Sequence, residues 1–232
     1  RAEWKWRVSE ADVAPEEGTM RWWIIVVGLA IVAGLPGPAQ AQEAGTAALP
    51  PIVVIETTLG PITVELDPVH APITVENYLR YVRAGFYDGT IFHRVIDNFL
   101  VQGGGYLADM KQKRSLYPDI KLESRNGLKN RRGTIAMARS RDPDTANCQF
   151  YFNLVDNPSS DYHATTNPFG YAVFGRVVSG WETLDKIRSL KTIPNSADPQ
   201  LDGSPAITLP ASPVVIRSIR LRDAGAASEG VH

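Results

Sequence analysis

The tightest constraint in this chain is a stretch of sixteen residues, TIFHRVIDNFLVQGGG, from Thr90 to Gly105. Ile91, Phe92, Val95, Ile96, Phe99, Leu100 and Val101 all gain free energy by leaving water, and the polar pair Asp97-Asn98 interrupts them where a chain reversal is easy. The pattern predicts strand, turn, strand, with most of both strands buried. Arg94 lies in the middle of this apolar run, with His93 beside it. A guanidinium taken out of water needs partners. Any fold that buries this hairpin must therefore give one arginine somewhere to go. It can pair with a carboxylate as a structural group, or it can work on a ligand.

The neighbouring segments set the fold class. PIVVIETTLGPITVELD reads as two strands around a Gly60-Pro61 turn, with Ile62, Val64 and Leu66 alternating with Thr63 and Glu65. HAPITVENYLRYVRAGFYDG reads as a helix that Thr74 can cap and Gly85 closes, with Val75, Tyr78, Leu79 and Val82 as its apolar stripe. GTIAMARS, NCQFYFNLV and FGYAVFGRVV are further strands. SGWETLDKIRSL is a second helix, with Ser179 and Glu182 in a capping box and Trp181, Leu184, Ile187 and Leu190 on one face. TIPNSADPQLDGSPAITLP reads as a long Pro/Gly loop, VVIRSIRL as a closing strand, and Asp223 to His232 as a frayed, disordered tail. Many short strands with only two helices point to one β-barrel or sandwich carrying helices at its ends.

The N-terminus is separate from this core. Met20 to Gln42 has a basic start, an apolar run of 14 residues from Trp22 to Leu35, a Pro/Gly break and Ala39-Gln40-Ala41. That is the layout of a secretory signal peptide cleaved after Ala41, and the run is shorter than the ~20 residues that span a bilayer. The alternative is a membrane anchor through Trp22–Leu35. Residues 1–19, upstream of Met20, read as an extension outside the mature protein, residues 42–51 as a tether, and residues 52–222 as the folded domain. Removing residues 1–41 takes away four of 24 basic and five of 25 acidic residues, leaving 20 of each. A formally neutral chain offers no electrostatic footprint for nucleic acid. An exported, periplasmic protein is the expectation.

Common catalytic equipment is missing. The four histidines, at 70, 93, 163 and 232, lack ligand spacing, so no metal site is expected. GGGYLAD is not a phosphate loop, and no G-x-S-x-G elbow is present. The one cysteine, Cys148, sits inside a predicted strand and reads as a small buried residue. What remains is an arginine, two glutamines and a set of apolar and aromatic side chains.

At this point the sequence resembles the cyclophilin family of peptidyl-prolyl cis/trans isomerases. The resemblance rests on FHRVIDNFLVQGG (Phe92 to Gly104), GTIAMA (Gly133 to Ala138), QFYFN (Gln149 to Asn153) and GYAVFGRVV (Gly170 to Val178), and it spans roughly Ile52 to Leu221. IAMAR and FGYAVFG look most like the bacterial periplasmic branch. The resemblance implies a closed eight-stranded antiparallel β-barrel capped by two α-helices, acting without a cofactor on proline-containing polypeptides of exported proteins, as a monomer. It carries the catalytic arginine onto Arg94. It places Gln102 on the same wall and His93 beside the arginine. It makes Phe99, Leu100 and Tyr151 the proline pocket, gives Ala138, Arg139 and Gln149 the substrate backbone, and sets Tyr171 at the rim. The competing class is a proline-peptide-binding chaperone or scaffold with little turnover.

The chain also departs from the family pattern. Tyr151 stands where phenylalanine is usual, and Arg139 where asparagine is common. In DNPSSDYHATTNPFGY, Ser159 and Ser160 replace an aromatic-leucine pair, with Tyr162 shortly after. A loop rebuilt in this way implies weak binding of cyclosporin-like cyclic peptides, unless Tyr162 fills the gap.

Overall fold

Alternating burial builds the first hairpin. In the computed structural model, which describes residues 49–194 and 208–222, strands β1 (Ile52–Thr57) and β2 (Gly60–Leu66) pair antiparallel. They bury Val53, Ile55, Ile62, Val64 and Leu66. The reversal falls at Thr58-Leu59, one step before the predicted Gly60-Pro61 turn, because the Thr57 hydroxyl donates to the Gly60 carbonyl at 2.6 Å and closes the turn there. The predicted extension, leader, most of the tether and the C-terminal tail lie outside the described residues. Among the described residues no helix is long and apolar enough to cross a membrane.

Helix α1 (Pro72–Arg83) buries the predicted stripe of Val75, Tyr78, Leu79 and Val82, and Tyr81 besides. It does not use Thr74 as its cap. Ala71 holds that place, and Pro72 starts the helix where a missing N–H costs nothing. The free N–H groups of Ile73 and Thr74 donate to the Glu123 carboxylate at 3.1 and 2.8 Å, and the Thr74 hydroxyl joins them at 2.7 Å. At the other end Gly85 N donates to Val82 O and Phe86 N to Tyr81 O, both at 3.0 Å, the paired bonds of a Schellman ending.

The remaining strands are β3 (Thr90–Ile96), β4 (Leu100–Leu107), β5 (Thr134–Met137), β6 (Phe150–Asn153) and β7 (Val173–Ser179). After helix α2 (Trp181–Arg188) come β8 (Thr192–Pro194), β9 (Thr208–Pro210) and β10 (Ile216–Leu221). Eight strands form one antiparallel sheet in the order β10-β1-β2-β7-β5-β6-β4-β3. Its two edges meet through an Ile91–Val215 bridge, where Gly89 N donates to Ile216 O at 2.9 Å and Phe92 N to Val214 O at 3.0 Å. The sheet therefore closes on itself as a barrel, which leaves few unpaired edge groups. An Arg220–Asp88 ion pair at 2.6 Å spans the same seam. The predicted long loop after α2 is not wholly irregular, since β8 and β9 pair at its two ends.

Aromatic side chains fill the interior. Phe150 meets Tyr78 and Tyr87 edge-on, both at 5.5 Å, and Phe152 at 5.8 Å. From α2, Leu184 and Ile187 join the same core, with Trp181 and Leu190 packed against it. The predicted Ser179/Glu182 capping box is absent: Ser179 ends β7, and Gly180 is the N-cap at φ 92°. Glycine is required there, because a Cβ would lie 2.4 Å from the Pro61 carbonyl oxygen.

Candidate active site

Residues opposed across a ladder share a face of the sheet. Phe92 pairs with Gly103, and Arg94 pairs with Gln102. Two steps along β3 thus answer one step along β4, a β-bulge centred on His93. In an unbroken strand Arg94 would point the same way as Phe92, which is fully buried in the barrel core. The bulge turns it to the outer face, beside Gln102. Val95, paired with Val101, returns to the core. The fold thereby buries the hairpin while keeping its arginine half-buried on the outside of the wall.

The same register carries a row of side chains across the sheet. Arg94 is opposite Gln102, Gln102 opposite Tyr151, Tyr151 opposite Ala136, and Ala136 opposite Val173. The polar end of this row is wired in one direction. Arg94 Nη1 donates to Gln102 Oε1 at 3.1 Å, and Gln102 Nε2 donates to Gln149 Oε1 at 3.0 Å. A guanidinium only donates, so Gln102 must present its oxygen to Arg94 and its NH₂ to Gln149. Gln149 packs tightly on β4: a Cβ on Gly105 would lie 2.6 Å from its Cγ. Its backbone carbonyl accepts the Ala138 N–H at 3.0 Å.

The apolar end is a second hydrophobic cluster, distinct from the barrel core. Leu100, Ala136, Tyr151 and Val173 are buried in it, with Phe99, Leu128, Ala138 and Tyr171 packed against them. The Tyr151 hydroxyl donates to Asn130 Oδ1 at 2.9 Å. Burial, with Tyr171 beside it, pushes this hydroxyl well above the usual tyrosine range, so it stays neutral. Asn130 is also buried, and its amide donates to the Ser160 carbonyl at 3.2 Å and to Asp161 Oδ1 at 3.1 Å. The Tyr171 ring stands edge-on to Tyr151 at 5.8 Å.

Of the predicted site residues, Arg94, Gln102 and Gln149 share one hydrogen-bonded chain, and Phe99, Leu100, Ala138, Tyr151 and Tyr171 share the adjoining apolar cluster. His93 stands apart: it is buried, with its ring 4.5 Å from that of Tyr106. Arg139 sits at the rim, with its guanidinium over the Tyr171 ring at 4.5 Å. Sequence reasoning missed Ala136, Val173 and Leu128. The first two lie two residues from Ala138 and Tyr171 along the chain, so strand alternation could have found them. Asn130 carries no motif at all.

The departing loop forms a 3₁₀ turn over Pro158–Ser160 and a small bridge between His163 and Asn167. Ser160 is buried and Ser159 exposed. Tyr162 lies under the Arg125 guanidinium at 4.5 Å and is not among the residues packed on the Tyr151 cluster. Away from this face, Cys148 is buried and its thiol is pushed up by that burial, so no thiolate is held there.

Residues 52–207 match the family described as cyclophilin type peptidyl-prolyl cis-trans isomerase/CLD. The chain is 47% identical over 170 residues to the peptidyl-prolyl cis-trans isomerase cyp18 of Streptomyces antibioticus, covering 73% of this chain and 97% of that protein. It is 46% identical over 169 residues to peptidyl-prolyl cis-trans isomerase A of Dickeya dadantii, covering 73% and 83%. Among solved structures, a cyclophilin-type isomerase of Cryptosporidium parvum superposes with a TM-score of 0.60 at 28% identity, covering 74% of this chain and 97% of its own. That protein has also been solved in the presence of the dipeptide ala-pro. Sequence, barrel topology and relatives agree: this chain belongs to the cyclophilin-type peptidyl-prolyl cis-trans isomerases.

Proposed function

We propose that this chain catalyses cis–trans isomerisation of Xaa-Pro bonds on the outer face of its barrel, with Arg94 as the catalytic residue. The observation that carries this reading is the bulge at His93, which sets Arg94 beside the Tyr151–Leu100 cluster and in the grip of Gln102. A proline ring seated on that cluster holds its own nitrogen near the guanidinium. Rotation of the bond must cross ~18–20 kcal/mol because the amide is conjugated. At the twisted geometry conjugation is lost, and the nitrogen gains a basic lone pair. A guanidinium donating to that nitrogen interacts more strongly with the twisted state than with the planar one, and only such a difference lowers the barrier. Gln102 and Gln149 hold the fork in place. Exchange NMR on a short Xaa-Pro peptide tests the activity. Enhanced cis–trans exchange supports an enzyme, whereas binding without exchange assigns the groove to a chaperone or scaffold.

The substrates proposed are exported proteins. The leader at Met20 to Gln42 supports this, as does the similarity to bacterial isomerases. The mature protein from an envelope fraction is expected to begin at Gln42 by mass spectrometry. Recovery of Trp22–Leu35 in the membrane fraction would replace secretion with anchoring.

Cyclosporin is expected to bind weakly. Ser159 and Ser160 supply no aromatic wall, and Tyr162 is held under Arg125. Losing part of an aromatic contact, at ~25 cal/mol per Å² of apolar surface, weakens a ligand by roughly one to two orders of magnitude. Ser159→Trp, at an exposed position, should recover affinity without a matching gain in turnover. Calorimetry showing nanomolar affinity in the unmodified protein would contradict this.

A further inference from the structure

We propose that Arg139 makes the groove selective for proline segments that carry an anionic side chain beside the proline; this rests on the isomerase reading above. Arg139 stands where its neighbours give it geometry without neutralising it. Its Nε and Nη2 donate to the Gly170 carbonyl at 2.9 and 2.8 Å, and Nη1 donates to the carbonyls of Ser140 and Arg141 at 2.9 and 3.2 Å. Its face lies on Tyr171. None of these partners carries a charge. Some arginines of the described surface are instead neutralised by carboxylates, as Arg176 is by Glu65 at 2.7 Å and Arg220 by Asp88 at 2.6 Å. A guanidinium has five N–H donors. The four bonds above leave one Nη2 N–H of Arg139 for a ligand.

The placement connects this charge to the site. Arg139 follows Ala138, whose N–H donates to the Gln149 carbonyl. The Gln149 side chain ends the hydrogen-bonded chain that starts at Arg94. Arg139 also stacks on the ring that stands edge-on to Tyr151. Burial raises the Tyr151 hydroxyl; among the smaller influences the Arg139 charge lowers it and the Asp161 carboxylate raises it. A carboxylate on a residue flanking the bound proline meets this cation in partly apolar surroundings, where attraction is stronger than in bulk water. A lysine there meets repulsion.

The test is exchange NMR at low ionic strength on two peptides of equal length, one with glutamate and one with lysine on both sides of a single proline. The wild-type protein should turn over the acidic peptide with a kcat/KM about tenfold higher, and added salt should shrink the ratio as the Debye length falls below ~10 Å. Arg139→Gln should bring the two peptides within about twofold. Arg139→Lys, which keeps the charge but loses the fork onto Gly170, should retain most of the preference. The ratio is read within one protein sample, so a general loss of activity from loosening the loop does not mimic the effect. Equal rates in the wild type, or a preference that survives Arg139→Gln, would overturn the assignment. If the wild type exchanges neither peptide, the isomerase reading fails, and the charge preference is still decided by the two peptides' affinities, read from chemical shifts in the same samples.

Discussion

Arg94→Ala is expected to lower kcat/KM for proline-peptide isomerisation by ~10²–10³, with most of the loss in kcat, while the protein stays folded. The size follows from removing one preorganised donor to charge that develops at the proline nitrogen. That is about 3–4 kcal/mol of barrier stabilisation, a term absent from the ground state. The fold should survive because Arg94 stands half-buried on the outer face and its partner Gln102 keeps its bond to Gln149. Arg94→Lys should recover little: an ammonium on a flexible stem cannot hold the fork that meets Gln102 and the substrate together. Exchange NMR gives the rates, and circular dichroism checks the fold. Near-normal turnover in folded Arg94→Ala protein would remove Arg94 from the mechanism.

The largest effect on stability is expected at Asn130. Its side-chain oxygen accepts from the Tyr151 hydroxyl at 2.9 Å and from Asn153 Nδ2 at 3.2 Å, while its amide serves Ser160, Asp161 and the Tyr171 carbonyl. Asn130→Ala takes the acceptor from the buried Tyr151 hydroxyl and from one N–H of the buried Asn153 amide, while Ser160 O and Asp161 Oδ1 keep the Tyr171 and Asn130 backbone N–H groups. An unsatisfied buried polar group costs ~1–3 kcal/mol, and two arise together while further bonds from the amide are lost, so a loss of about 3–5 kcal/mol is expected. For a domain of this size that is a fall in Tm of roughly 6–20 °C. Tyr151→Phe removes one hydroxyl and leaves Asn130 bonded to Asn153, so it should cost only about 1 kcal/mol. Urea unfolding separates the two. A loss under 1 kcal/mol for Asn130→Ala would show that water replaces the missing amide.

Much of the barrel was legible in the sequence because burial leaves a period. Ile62, Val64 and Leu66 alternate, and Val75, Tyr78, Leu79 and Val82 repeat as a helix does, with no knowledge of partners needed. What resisted reading depends on contacts distant along the chain. The donors at the start of α1 are met by Glu123, some fifty residues away, so the local candidate Thr74 misled. The start of α2 is fixed by the approach of Gly180 to the Pro61 backbone, which a serine-glutamate spacing cannot reveal. In the site, the residue types at Arg94, Gln102 and Gln149 were visible in the sequence. The bulge that aims Arg94 was not, because register exists only between two strands. Asn130 was invisible for the same reason: a polar residue in a loop becomes a hub only when Tyr151, Ser160 and Tyr171 converge on it.

The two apolar clusters lie on opposite faces of one wall, and this has a consequence for how the protein can change. Phe150, Phe152, Val101 and Ile135 look inward, while Leu100, Tyr151 and Ala136 look outward from the same strands. Each face repacks among its own members, and the backbone ladder between them is indifferent to side-chain identity. Variation that reshapes the outer face, such as Tyr151 for phenylalanine or the serines of the 158–160 turn, therefore need not be matched by variation inside. A lineage can explore new clients on one side of the sheet while its folding problem, already solved on the other, is inherited unchanged.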